Sequence, residues 1–356
     1  MFQAVNETRR FGLLLMTLPV LLIALASTVH AAAPGRLFDS HETLRLTLRA
    51  PIRGLADKTA TDFELEGSIT LEEGRTVPVA VTVFGKTRLE YCTIPPLKLT
   101  PDPEAARGTP FEGQRTLRIV THCGHETDSD RWVLLEYLTY RTYQILSDTA
   151  LSVRLAEIEY DDSKVKTRKQ VAYAFFVEDI ERAARRRGLE WLDSRLQSPK
   201  QLASLQTAVL VLFQYMVGNT DWSVLSGPEG ERCCHNAALI GGEDASGRRL
   251  LPYDFDQSGL VSAPYARPSA SLPLQNVRQR RYRGFCAHND FLPAAIDLFN
   301  QRRASIEALF LDASLPHPSA RRAALRYLEK FYREINDAKK VDKRLLRHCR
   351  QPTKSK

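Results

Sequence analysis

Between Gly218 and Gly259 the chain sets three polar clusters beside apolar segments. Asn219-Thr220-Asp221 follows the apolar run that ends at Val217. His235-Asn236 precedes Ala237-Ala238-Leu239-Ile240, and Asp254-Phe255-Asp256 follows Leu251-Pro252-Tyr253. Phosphoryl transfer uses such a set: an aspartate orients the attacking hydroxyl, while hard oxygen ligands hold magnesium against the phosphates. Asp221 fits the first role. Asn236 and Asp254 fit the second, with Asp256 a further ligand or an alternative to Asp254. If Phe255 lies in a strand, Asp254 and Asp256 share a face. That suits two ligands of one cation better than two acids flanking a sugar. Asp and Asn also form loops and cap turns without any ligand, so the chemistry is carried by the set rather than by one residue.

Other chemistries find less support. Ser223, Ser226 and Ser258 lie near acidic residues and His235, but no G-x-S-x-G elbow is present. There is no H-E-x-x-H, no G-x-G-x-x-G and no G-x-x-x-x-G-K-[ST].

The order Asn219-x-Asp221, His235-Asn236 and Pro252-Tyr253-Asp254-Phe255-Asp256 resembles the catalytic segment of the CotH (spore coat protein H) family of atypical protein-kinase-like proteins. The resemblance implies an α+β, bilobal protein-kinase-like fold, with a β-rich N-terminal lobe and a mainly helical C-terminal lobe. It implies ATP and Mg2+ as cofactors, Asp221 as the catalytic aspartate, and Asn236 and Asp254 as metal ligands. Gly85 to Arg88, Cys92 and Pro95-Pro96-Leu97-Lys98-Leu99 resemble the stretch before the family's nucleotide-binding lysine, which implies Lys98, with Glu136 as its salt-bridge partner. Arg118 is the rival cation, because it precedes the first long helix where a standard kinase places its lysine. Phe175-Phe176-Val177-Glu178-Asp179 is similar to the family's hinge-like strand. The likeness covers roughly residues 80–300. Asn219-Thr220-Asp221 stands where a standard kinase has H-R-D, and the insert before Asn236 carries Gly227-Pro228-Glu229-Gly230 and a cysteine pair.

The elements that must position these residues can be read from hydrophobic period. Leu44, Leu46 and Leu48 alternate with polar residues, as do Val77, Val79, Val81 and Val83. Phe63, Leu65, Ile69 and Leu71 share one face, with Gly67 a bend or bulge. Pro78 points to a sheet edge. Short strands follow at Thr93–Leu99 and Thr116–Val120. Residues 131–147 have the spacing of an amphipathic helix. Leu151–Tyr160 and Val171–Val177 read as a hairpin. Asp179 caps a helix that ends at Gly188, Gln201–Val217 is a buried helix, and residues 291–310 and 315–347 are helical. Residues 32–178 thus form a β-rich lobe that includes one helix, and residues 179–356 form the helical lobe.

Arg9 and Arg10, an apolar run from Phe11 to Ala26, and Val29-His30-Ala31 read as a secretory signal peptide over residues 1–31, with an uncleaved anchor as the alternative. Export, to a periplasmic or extracellular setting, is expected. Apolar content of 43% and charged content of 26% exclude a disordered chain. The formal charge of +8 falls to +7 without Glu7, Arg9 and Arg10. That surplus is compatible with peripheral contact to an anionic membrane surface. No basic stripe is interleaved with aromatics, so no nucleic-acid partner is expected. Arg278 to Arg283 reads as a solvated basic loop.

Six cysteines remain after cleavage, which makes disulfides the expectation for an exported chain. Cys92 with Cys123 is the first pairing expected. Adjacent Cys233 and Cys234 are expected to reach distant partners such as Cys286 and Cys349. Thiol ligation of a metal is weaker, because no paired C-x-x-C is present.

Two functions therefore stand as expectations. One is an exported atypical kinase acting on a protein or envelope hydroxyl. The other is a catalytically inactive, disulfide-stabilised envelope scaffold or binding protein.

Overall fold

Apolar residues at every second position force seven strands to bury one face, and the strands do so by curling into a closed barrel. The computed structural model describes Met1 and residues 36–55, 64–85, 87–92, 94–124, 129–165, 169–193, 198–225, 227, 232–242 and 246–351. The expected signal segment and Phe63 lie outside the described residues, Met1 excepted. Among those described, no helix is long and apolar enough to cross a membrane.

In chain order the first part comprises β1 (Leu44–Ala50), α1 (Ile52–Leu55), β2 (Leu65–Leu71), β3 (Thr76–Val83), α2 (Thr87–Tyr91), β4 (Leu97–Pro101), β5 (Leu117–Val120), α3 (Arg131–Leu146), β6 (Val153–Asp162) and β7 (Gln170–Val177). Around the barrel the order is β1-β2-β3-β4-β5-β7-β6. A parallel pairing of β1 with β6, from Leu44↔Ala156 to Ala50↔Asp162, closes it. The chain then forms α4 (Ile180–Arg185), β8 (Glu190–Trp191), α5 (Ser204–Val217), β9 (Ala237–Gly241), β10 (Arg249–Pro252), α6 (Leu292–Leu311), α7 (Pro318–Ile335) and α8 (Ala338–Arg344). This is a two-part α+β architecture, a β-barrel followed by a mainly helical region.

Successive side chains of a strand point to opposite faces, and β7 uses both. Phe176 fills the barrel with Leu48, Ile69, Val81, Leu99 and Ile119. Phe175 packs outside it against Tyr137 and Tyr140 of α3, in a second core that continues through α5 to α6 and α7. The spacing in α3 predicts an amphipathic helix, yet eleven of its sixteen residues are buried. It touches β6 and β7 on one side and α5, α6 and α7 on the other, so little of its surface meets water.

Three local expectations are corrected. Gly67 is not a bulge, since β2 keeps unbroken register with β3; a Cβ there would come within 2.9 Å of Arg49 O and of Val81 Cγ2. Pro78 is not on an edge strand, because β3 lies between β2 and β4. It is tolerated because pairing with β4 starts one residue later, at Val79↔Pro101. Arg278 to Arg283 is not a solvated loop. Arg280 donates to Met216 O at the end of α5 and to Tyr327 O, while Arg283 donates to Trp222 O. The bonds to Met216 O and Trp222 O satisfy carbonyls that a helix end and a turn leave open.

Cys92 bridges Cys123 as expected. Cys233 and Cys234 bridge each other, and Cys286 bridges Cys349, against the expectation of long-range partners for the adjacent pair.

Candidate functional site

Helix α5 ends at Gly218, whose φ of 68° is left-handed. A Cβ there would overlap the Tyr327 hydroxyl. The chain turns back at once. Asn219 Oδ1 accepts the Asp221 N–H at 2.9 Å, and Asn219 O accepts the indole N–H of Trp222 at 3.1 Å. This turn, clamped by Arg283, presents the Asp221 carboxylate half-exposed.

The hairpin β9–β10 supplies the facing groups. Asn236 just precedes β9 and Asp254 just follows β10, with φ of 51° and 60°. Both residue types tolerate this left-handed region better than most. The Tyr253 N–H donates to Asn236 O at 3.1 Å, which ties the two ends of the hairpin together. The Asp254 N–H donates to the Tyr140 hydroxyl at 2.8 Å. Asn236 Nδ2 donates to Asp221 O at 2.8 Å and to Asp221 Oδ2 at 3.1 Å, and His235 Nε2 lies 2.8 Å from Asp221 Oδ1.

A cleft of about 520 Å³ separates these loops from the barrel wall. All seven residues singled out from the sequence line it: Lys98, Arg118, Glu136, Asp221, Asn236, Asp254 and Asp256. The pairing within it differs from expectation. Glu136 is 2% exposed, and its ion pair is with Arg88 of α2, itself 7% exposed, at 3.4 Å. Lys98 is not its partner. Arg88 also donates to Thr121 O. Lys98 and Arg118 instead sit opposite each other on β4 and β5.

Arg88 governs the electrostatics. Burial opposes its charge, yet Tyr265, Glu136, Asp256 and Asp254 around it raise the guanidinium above its ordinary value. The carboxyls move the other way. Burial first, then the charge of Asp256, pushes Asp254 up to about 8, and it shares a hydrogen bond with the Asp256 carboxyl. Burial likewise raises Asp256, although Arg88 and a hydrogen bond from Tyr265 oppose the shift. Glu136 is raised by burial and by Asp256, against the pull of Arg88. The two partners of the ion pair thus shift in senses that do not match. Because a guanidinium stays charged in proteins, Arg88 carries the positive charge of this cluster, and burial is the first cause of the upward shift of the carboxyls.

This arrangement corrects the expected cofactor site. Among the described residues, no group of three or more His, Cys, Asp or Glu side chains is placed to hold a metal ion. The expectations of a magnesium site at Asn236, Asp254 and Asp256, of ATP with Mg2+, and of phosphoryl transfer by an exported kinase are overturned on that ground. The physical reason is local. Asn236 turns its amide nitrogen to Asp221. Asp254 and Asp256 share a hydrogen bond with each other, and the Arg88 guanidinium lies among Glu136, Asp254 and Asp256. Thiol ligation fails as well, since all six cysteines are in disulfides.

Sequence reasoning missed Arg88, Tyr140 and Tyr265 as parts of the site. Arg88 had a usable signal, since it stands four residues, about one helical turn, before Cys92. The expected bridge to Cys123 turns that face of α2 toward the segment entering α3. The two tyrosines carry no spacing signal.

Comparison with protein-family models and with curated proteins gives no match for this chain.

Proposed function

We propose that this chain is a non-catalytic, disulfide-stabilised binding or scaffold protein of the cell envelope, exported by its N-terminal segment. Its plan is that of a bilobal kinase-like protein related to the CotH family, in which the cleft persists without the cation site. The observation that carries this reading is the buried Arg88 set among Glu136, Asp254 and Asp256, where a cation-dependent enzyme needs its acids free. Three disulfides support an oxidising setting. Two of them tie parts of the chain 31 and 63 residues apart, as a rigid scaffold requires.

The test is complementation of a strain that lacks the chain. The wild-type chain restores the phenotype without transferring phosphate from ATP to any envelope component. Variants that lose the Cys92–Cys123 or Cys286–Cys349 bridge do not restore it. Phosphoryl transfer from ATP by the purified, complementing protein would count against the proposal.

A further inference from the structure

Lys98 and Arg118 form the least compensated charge in the cleft. They are cross-strand neighbours, and both reach the Phe84 ring, with the charged groups 5.9 and 5.8 Å from its centroid. Among the described residues neither forms an ion pair, and the buried acids of the cleft, Glu136 and Asp256, lie around Arg88. Burial first, and then the charge of Arg118, lowers the Lys98 ammonium below its ordinary value. Such a pair stabilises an incoming oxyanion by charge-assisted hydrogen bonds.

The opposite wall is of a different kind. Asp221, Asn236 and Asp254 offer carboxyl and amide groups, and the Tyr253 ring stands beside them. These acids do not call for a cationic ligand. Asp221 already meets His235 and Asn236, and Arg88 lies among the others. What remains is hydrogen-bonding capacity of the sort that hydroxyl groups satisfy, since a hydroxyl both donates and accepts. The cleft volume of about 520 Å³ falls in the range of small-molecule sites.

From this juxtaposition we infer that the cleft binds a small anionic sugar: a polyhydroxylated ring bearing one carboxylate or phosphate monoester. Its oxyanion lies between Lys98 and Arg118, and its hydroxyls meet Asp221, Asn236 and Asp254. No metal takes part. The inference rests on the binding-protein reading above and gives it a ligand class.

The test is calorimetric titration of the mature, oxidised protein in buffer containing EDTA. The probes are D-galacturonate, glucose 6-phosphate, D-galactose and inorganic phosphate. Saturable binding of either anionic sugar is expected, with D-galactose and inorganic phosphate each weaker by roughly tenfold or more, the scale of one charge-assisted hydrogen bond. The two anionic sugars distinguish a carboxylate source from a phosphate source. Lys98→Met with Arg118→Met lowers the affinity by a similar factor, and Lys340→Ala on α8 leaves it unchanged. If the double variant does not fold, the wild-type preference for anionic over neutral sugar decides. Equal binding of D-galactose, equal binding of inorganic phosphate, or no binding of either anionic sugar at about 10 mM, far above the affinities of specific sites, would overturn the inference. Any of these results would leave the absence of phosphoryl transfer untouched, so the two failures are distinguishable.

Discussion

Arg88 and Glu136 meet at 3.4 Å inside the wall of the cleft, and both are almost fully buried. The pair joins the short helix α2 of the barrel half to α3. It fills with protein the position where the sequence placed Lys98. Around it, Asp254 and Asp256 find their counter-charge within the chain.

Removal of one partner should therefore be costly. Arg88→Ala leaves Glu136 and Asp256 buried without a cation, and a loss of about 3–5 kcal/mol is expected. Glu136→Gln should cost less, because Arg88 retains Asp254 and Asp256. Urea denaturation of the three proteins checks the order. Equal stability of Arg88→Ala and wild type would refute the arrangement.

The buried carboxyls also set a pH dependence. Burial raises Glu136, Asp254 and Asp256 above their ordinary values, Asp254 to about 8. A folded-state pKa above the unfolded one means that the folded chain binds more protons. The resulting stability is fully present below the unfolded pKa and is lost as pH rises through the folded pKa. Stability should fall between about pH 5 and about pH 9, and Asp254→Asn should make the slope shallower by well under the roughly 1.4 kcal/mol per pH unit of a full proton, because its side chain is exposed and solvent screens it. Denaturation midpoints across that interval provide the measurement. A slope unchanged in the variant would show that Asp254 is not the titrating group.

The three disulfides should differ in worth. In the chain-entropy account a bridge stabilises by restricting the unfolded chain, more so for longer loops. Cys92–Cys123 and Cys286–Cys349, with separations of 31 and 63, should each contribute roughly 3–4 kcal/mol. Cys233–Cys234 joins neighbours and closes almost no loop. Paired serine substitutions, compared by thermal unfolding, should leave the adjacent pair nearest to wild type. If it were instead the most destabilised, this entropic ranking would be wrong.

Gly218→Ala tests the turn that presents Asp221. The left-handed φ and the overlap with the Tyr327 hydroxyl, itself bonded to Arg278 O, should together cost about 1–3 kcal/mol. Circular dichroism melting reads this directly, and an unshifted midpoint would exclude the strained turn.

Much of the architecture is legible in the sequence because it follows from local patterns. The Val77–Val83 alternation is β3, the period of residues 131–147 is α3, and Asp179 caps α4 through the Arg182 N–H. Closure of the barrel is not legible, because it depends on the parallel pairing of β1 with β6 across more than a hundred residues. The same limit applies to the site. Asp221, Asn236 and Asp254 can be singled out by type and order, and they do line one cleft. Their charge partner cannot. Arg88 lies on a five-residue helix, and its role depends on α2, α3 and the segment after β10 meeting in space. The adjacent cysteines escape sequence reasoning for a related cause: local connectivity argues against a bridge that the turn before β9 accommodates.

Titration of the oxidised protein with ATP in the presence of magnesium tests the central claim most directly. With Arg88 occupying the acidic cluster, the account predicts no saturable heat and no difference between wild type and Asp254→Asn. Saturable binding that requires magnesium and disappears in Asp254→Asn would contradict it.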